Sequence, residues 1–157
     1  MSGAERVTIE TTVNGTAVSL DVQPSDLLLD VLRDQLGLTG AKRSCDVQVC
    51  GTCTVLLDGQ PVSACTTLVH EARGRAVLTI EGLAELPEFA RMEEVFTRHT
   101  ALQCGYCTPG MVLTISALLA SGELTDDEAM VREALAGNVC RCTGYRAIID
   151  AARELAR

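Results

Sequence analysis

The chain has 157 residues, of which 47% are hydrophobic and 3% aromatic, with no Trp and a formal net charge of −8. That length suits one ordinary domain or two small ones, with a core built from Leu, Val, Ile, Ala and Met. The acidic balance argues against nucleic acid or an anionic membrane as partner.

The first 12 residues, MSGAERVTIETT, carry no apolar run of the kind a secretory leader needs, so a cytoplasmic protein is expected. No stretch reaches the length of a membrane span; the longest apolar candidate is Met111 to Ala120.

Val7, Ile9, Thr11 and Val13 alternate as in a strand, Asn14-Gly15 is a hairpin turn, and Val18, Leu20 and Val22 alternate on the return. Pro24-Ser25-Asp26 then predicts a helix start with Ser25 as N-cap; Leu28, Val31, Leu32 and Leu36 repeat at helical spacing, and Gly37 serves as C-cap. Residues 38–53 lack periodicity and read as a loop. A strand over Thr54–Leu57, a turn at Asp58-Gly59, a paired return over Pro61–Ala64 and a strand over Ala76–Ile80 follow. Beyond Gly82 the pattern is helical, over residues 88–99, 110–121, 126–136 and 144–156. Ser121-Gly122 ends the second of these, and Thr125 with Glu128 reads as a capping box opening the third, which Gly137 ends. Strands first and helices afterwards predict an α+β chain of two domains, residues 1–82 and 83–157.

Each domain contains four cysteines. Cys45, Cys50, Cys53 and Cys65 read C-x₄-C-x₂-C-x₁₁-C, the spacing of plant-type ferredoxins; Cys104, Cys107, Cys140 and Cys142 read C-x₂-C-x₃₂-C-x-C. Four thiolates are what one [2Fe–2S] cluster takes, so two clusters are expected. Disulfide frameworks belong to small secreted domains, which this chain does not resemble. Zinc ribbons pair two C-x₂-C knuckles, and the first quartet has one. A Rieske centre needs two interleaved histidines and a catalytic thiol needs a nearby base; the only histidines, His70 and His99, lie outside the loop and read as surface or packing residues. Gly51 suits a tight turn or a close backbone approach. Lys42 and Arg43 read as solvated cations. In the second quartet, Pro109 suits a first helical turn, which places Cys104 and Cys107 at a helix N-terminus, where anions are favoured. Cys140 and Cys142 must lie on a bent loop to reach one centre.

These motifs, QCGYCTPGM followed by NVCRCTGY behind CGTCTV, closely resemble the iron–sulfur subunit of the xanthine oxidase family of molybdenum hydroxylases. The likeness runs from the first hairpin to the last helix. It implies an N-terminal β-grasp ferredoxin domain and a C-terminal four-helix bundle, each with one [2Fe–2S] cluster. It implies a large partner subunit with the molybdopterin cofactor and a medium partner subunit with FAD, in a dimer of heterotrimers. Gln103 and Cys142 match positions that approach the pterin, with the bundle cluster nearer the pterin and the ferredoxin cluster nearer FAD. A chain ending at Arg157 is expected for the split-subunit arrangement. The chain itself carries no catalytic residues in this reading; the alternative is a free-standing two-cluster shuttle. Ser44 and Gln48 stand where many members carry Gly.

Overall fold

The computed structural model describes residues 5–157, so the first four residues of the MSGAERVTIETT stretch lie outside the description. Strands β1 (Val7–Val13) and β2 (Thr16–Val22) pair antiparallel, Val7 opposite Val22 and Val13 opposite Thr16. Asn14 and Gly15 both have positive φ, +50° and +79°. That is what a two-residue turn matching strand twist requires. Alternation turns Ile9, Thr11, Val13, Leu20 and Val22 inward.

Helix α1 (Leu28–Asp30) runs straight into a π-helical turn, Val31–Gln35, and buries Leu28, Leu29, Val31 and Leu32. Ser25 is not its cap. Residues 23–26 are taken up by a turn in which the Asp26 carboxylate accepts from the Gln23 N–H at 2.8 Å. The cap position falls to Leu27, whose extended backbone bridges to Leu68. Gly37, at φ +69°, ends this segment in the expected left-handed conformation.

Strands β3 (Thr54–Leu57) and β4 (Gln60–Ser63) form a second hairpin around Asp58-Gly59, φ +50° and +80°. The return starts one residue before the predicted Pro61, which lies on the edge strand opposite Leu56, where a missing N–H is tolerated. Strand β5 (Ala76–Leu78) runs parallel to β1 and antiparallel to β3, giving one mixed sheet in the order β2-β1-β5-β3-β4.

The predicted strand to Ile80 stops at Leu78, and a short helix α2 (Ile80–Ala84) begins instead. Asn14 is the reason: its Oδ1 accepts from the Thr79 N–H at 2.9 Å and draws the chain off the sheet. Gly82 therefore sits inside a helix, and a Cβ there would come within 2.3 Å of the Asn14 side chain.

Helices α3 (Phe89–Arg98), α4 (Thr108–Ser121), α5 (Glu128–Ala134) and α6 (Arg146–Leu155) follow. Pro109 lies in the first turn of α4, and Gly122, at φ +74°, ends it. The N-cap of α5 is Asp127, not Thr125. Asp127 Oδ1 accepts from the N–H groups of Ala129 and Met130 at 2.7 and 3.2 Å, while Thr125 Oγ1 accepts only from Asp127 N. A carboxylate beside the positive helix end is the stronger cap.

One apolar core lies between the sheet and α1, around Ile9, Val22, Leu29, Val55, Leu57 and Val77. A second joins the helices through Met92, Phe96, Met111, Ile115, Val131 and Ile149. Leu56 belongs to this second core, so β3 is buried on both faces, with α4 packed across it. Each fully buried side chain of this size contributes roughly 1.5–3 kcal/mol. Among the described residues no helix is long and apolar enough to cross a membrane.

Candidate metal centres

The fold brings each predicted quartet together as two pairs. In the first, Cys45 and Cys50 lie on the aperiodic loop before β3, Cys53 immediately precedes β3, and Cys65 follows β4. The β3–β4 hairpin thus returns Cys65 to the neighbourhood of Cys53, where the Cys65 thiol bears on the Cys53 ionisation. Cys45 and Cys50 form the other pair: the N–H groups of Val49 and Cys50 both donate to Cys45 Sγ at 3.4 Å. Cys50 Sγ also lies 3.3 Å from Thr52 Oγ1.

In the second quartet, Cys104 and Cys142 are exposed, with their Sγ atoms 3.5 Å apart. Cys107, at the N-cap of α4, lies near the buried Cys140, whose thiol helps to raise the Cys107 pKa. The bend expected in the C-R-C segment is present. Thr143 Oγ1 donates to Cys140 Sγ at 3.2 Å, and Tyr145, at φ +67°, accepts from Cys140 N–H at 3.0 Å.

The environments of the pairs differ in the way metal ligation uses. Backbone N–H groups of Val47, Val49 and Cys50 hold the Cys45 thiol down to about 6, whereas burial pushes Cys53 and Cys107 up to about 12. Cys104 is lowered by the Tyr106 N–H and by Cys142, and Cys142 is raised by sharing a hydrogen bond with Cys104. Burial opposes ionisation of Cys140, but hydrogen bonds from Thr143 outweigh it and the thiol is lowered. Each quartet thus joins a more accessible pair to a more buried one. Among the described residues no three His, Cys, Asp or Glu side chains converge on a single ion. A binuclear cluster makes a different demand, two thiolates on each of two irons. The paired thiols and their N–H donors fit it.

The two quartets are neighbours. The Val139 N–H donates to the Cys50 carbonyl at 2.8 Å, and Asn138, 5% exposed, donates from Nδ2 to the Gly51 carbonyl at 3.3 Å. Asn138 Oδ1 accepts from Thr114 Oγ1 of α4 at 3.1 Å. The Tyr106 hydroxyl donates to the Arg43 carbonyl at 2.6 Å, and Lys42 Nζ stands 5.9 Å from the Tyr106 ring centroid. Gly51 has φ +67°, and a Cβ there would come within 2.5 Å of Asn138 and Gly137. A Cβ on Gly110 would meet the Gly51 carbonyl oxygen at 2.1 Å. The close approach expected at Gly51 is an approach to the opposite cysteine loop.

Sequence reasoning missed Asn138, Tyr106, Thr114 and Tyr145. Their signal was position: Asn138 and Tyr145 bracket the C-x-C segment, and Tyr106 lies inside C-x-x-C. Gln103 is exposed beside exposed Cys104. Gln48 has φ +58°, the region that favours glycine, and its Oε1 accepts from Thr66 Oγ1 at 3.4 Å. Ser44 lines a cleft of about 260 Å³ together with Cys50 and the second quartet. His99 pairs with Glu154 at 2.6 Å between α3 and α6, a packing role as expected.

Residues 11–79 match the family described as "2Fe-2S iron-sulfur cluster binding domain", and residues 79–153 match "[2Fe-2S] binding domain". The chain is 45% identical over 148 residues to the 6-hydroxypseudooxynicotine dehydrogenase complex subunit beta of Paenarthrobacter nicotinovorans, covering 94% of this chain and 91% of that one. It is 40% identical over 153 residues to the xanthine dehydrogenase iron-sulfur-binding subunit of Escherichia coli O157:H7, covering 96% and 94%. Among solved structures, quinoline 2-oxidoreductase from Pseudomonas putida 86 superposes with a TM-score of 0.90 at 42% identity, covering 98% of this chain and 94% of that chain.

Proposed function

The chain belongs to the iron–sulfur subunits of the xanthine oxidase (xanthine dehydrogenase) family of molybdenum hydroxylases, and on that footing we propose which of its residues form the electron path and in which direction. Its role is electron transfer, as the non-catalytic subunit of a molybdenum-containing oxidoreductase complex whose cofactors are two [2Fe–2S] clusters here and molybdopterin and FAD on partner subunits. A [2Fe–2S] cluster, when bound, takes up and releases one electron at a time.

In this reading Cys45, Cys50, Cys53 and Cys65 hold the first cluster. Cys104, Cys107, Cys140 and Cys142 hold the second. Residues 1–82 form a β-grasp unit and residues 83–157 a four-helix bundle. Gln103 and Cys142 face the pterin of a large subunit, and the loop of Val47 and Val49, 65% and 60% exposed, faces a medium FAD subunit. The assembly is a cytoplasmic dimer of heterotrimers.

The observation that carries the reading is the Val139–Cys50 hydrogen bond at 2.8 Å. Cys140 is covalently next to Val139, so one hydrogen bond joins a ligand of the second quartet to a ligand of the first. The chain's residues orient the two loops through Asn138 and Tyr106, and supply N–H donors that stabilise thiolate sulfur.

The test is EPR of the reduced complex. Two distinct signals are expected, and Cys104→Ser should remove one while leaving the other. Loss of both in a complex that stays folded would overturn the ligand grouping. A colourless chain holding zinc would overturn the cluster reading itself. A small monomer free of molybdenum and flavin would favour a free-standing shuttle.

A further inference from the structure

The chain has 13 Lys and Arg residues. Among the described residues Arg141 alone has neither an ion pair nor a hydrogen bond. Even the cations without a carboxylate partner, Arg33, Lys42, Arg73 and Arg91, donate to backbone carbonyls. Arg141 stands between Cys140 and Cys142 and lines the 260 Å³ cleft that all four cysteines of the second quartet share with Cys50. No Asp or Glu lines that cleft.

The first quartet is built the opposite way. Its local guanidinium, Arg43, is held by two carboxylates, Asp30 and Asp46, the latter at 2.6 Å. One positive charge is more than cancelled beside the first quartet. At the second quartet it is left standing.

We infer that Arg141 is a tuning residue for the second cluster: its unpaired guanidinium favours the arrival of an electron at the Cys104/Cys107/Cys140/Cys142 site. The inference rests on the ligand grouping proposed above. The step itself is the gain of one electron by one ferric iron, which becomes ferrous, with no bond made or broken. The electron comes from the molybdenum centre in turnover, or from dithionite in a titration. The added negative charge is attracted by Arg141 through a cleft free of carboxylates, where a single charge is expected to change the reduction equilibrium about tenfold. Arg141 touches neither substrate nor pterin in this role, so its effect appears in a potential rather than in substrate binding.

The experiment is an EPR-monitored redox titration of the intact complex, with the second-cluster signal identified as the one lost in Cys104→Ser. Arg141→Gln should lower the midpoint of that signal by the equivalent of about tenfold, or about 59 mV for one electron. Arg141→Glu should lower it further, Arg141→Lys should restore it, and the first-cluster midpoint should stay in place throughout. That charge order separates tuning from a merely structural role. A second-cluster midpoint that ignores the charge at position 141, or equal shifts in both clusters, would overturn the proposal. So would dissociation of the complex in Arg141→Gln with normal midpoints after reassembly, which would make Arg141 a docking cation instead. Failure of the ligand grouping is seen separately, as the wrong pattern of signal loss in Cys104→Ser with Arg141 intact.

Discussion

The N–H of Val139 donates to the carbonyl of Cys50 at 2.8 Å, across a sequence separation that no local rule would bridge. Asn138 beside it closes the same junction from Nδ2 and Oδ1, to Gly51 and to Thr114. A short covalent and hydrogen-bonded link between the two cysteine loops therefore runs from Cys140 through Val139 to Cys50, braced by the buried Asn138 beside it.

If that link carries electrons between the clusters, Val139→Pro, which lacks an N–H, should slow electron exchange between them while leaving both midpoints in place. Val139→Ala keeps the N–H and should behave as the unsubstituted complex does. Rapid-mixing kinetics on the holo complex would read this; equal rates in the two variants would remove the hydrogen bond from the path.

Asn138→Ala should be among the more damaging single changes outside the cysteines. It removes three hydrogen bonds, to the Gly51 carbonyl and to the hydroxyls of Thr54 and Thr114, in a site that is 5% exposed, although Thr54 Oγ1 still donates to Gly51 and Thr114 Oγ1 to Gly110. Each hydrogen bond is worth about 0.5–1.5 kcal/mol net, so a loss of about 1–3 kcal/mol is expected in denaturant unfolding followed by circular dichroism.

Gly110→Ala sets two effects against one another. Helix propensity favours Ala by up to about 1 kcal/mol. The new Cβ would lie 2.1 Å from the Gly51 carbonyl oxygen, backbone that cannot swing aside. Overpacking of this kind costs typically about 1–3 kcal/mol, so the variant should be destabilised and its first-cluster spectrum disturbed. A stabilised variant with an unchanged spectrum would show that the α4 contact is looser than the geometry states.

The α3–α6 contact should make the helical half acid-sensitive. The His99 hydrogen bond, aided by the charges of Arg98 and Arg91, holds the Glu154 carboxyl below its usual 4.5. A carboxyl depressed on folding contributes stability that is complete above its unfolded value and is lost as pH falls through the folded value. Thermal unfolding midpoints should therefore fall as pH drops below about 4.5, and Glu154→Gln should flatten that decline. A parallel pH profile in the variant would place the acid sensitivity elsewhere, at Asp126 or Glu128, whose carboxyls are lowered by Arg157 and Arg132.

Much of this protein was legible locally. Both hairpins were readable because Asn-Gly and Asp-Gly tolerate two successive positive φ values and apolar residues alternate around them. Helix α4 was readable from Pro109 and Gly122, which mark its ends by backbone chemistry alone. The errors share one cause. Ser25, Thr125 and Ile80 were each read from a short pattern that a neighbour overruled: Asp26 took the turn, Asp127 took the cap, and Asn14 pulled Thr79 off the sheet. Asn138 went unread because a buried asparagine and a solvated one look alike until something is packed over it.

The sequence by itself determined the two groups of four cysteines and the kind of centre they suit, because ligand type and spacing are properties of a loop and survive without knowledge of its surroundings. Only the tertiary structure decided how the groups meet. Gly51 and Asn138 are 87 residues apart, and their contact exists because α4 packs on β3 and leaves room there for no side chain larger than glycine's. The same packing left Arg141 without a carboxylate while Arg43 received two. Such pairings follow from which surfaces dock, and docking is set by the whole core rather than by any segment of the chain.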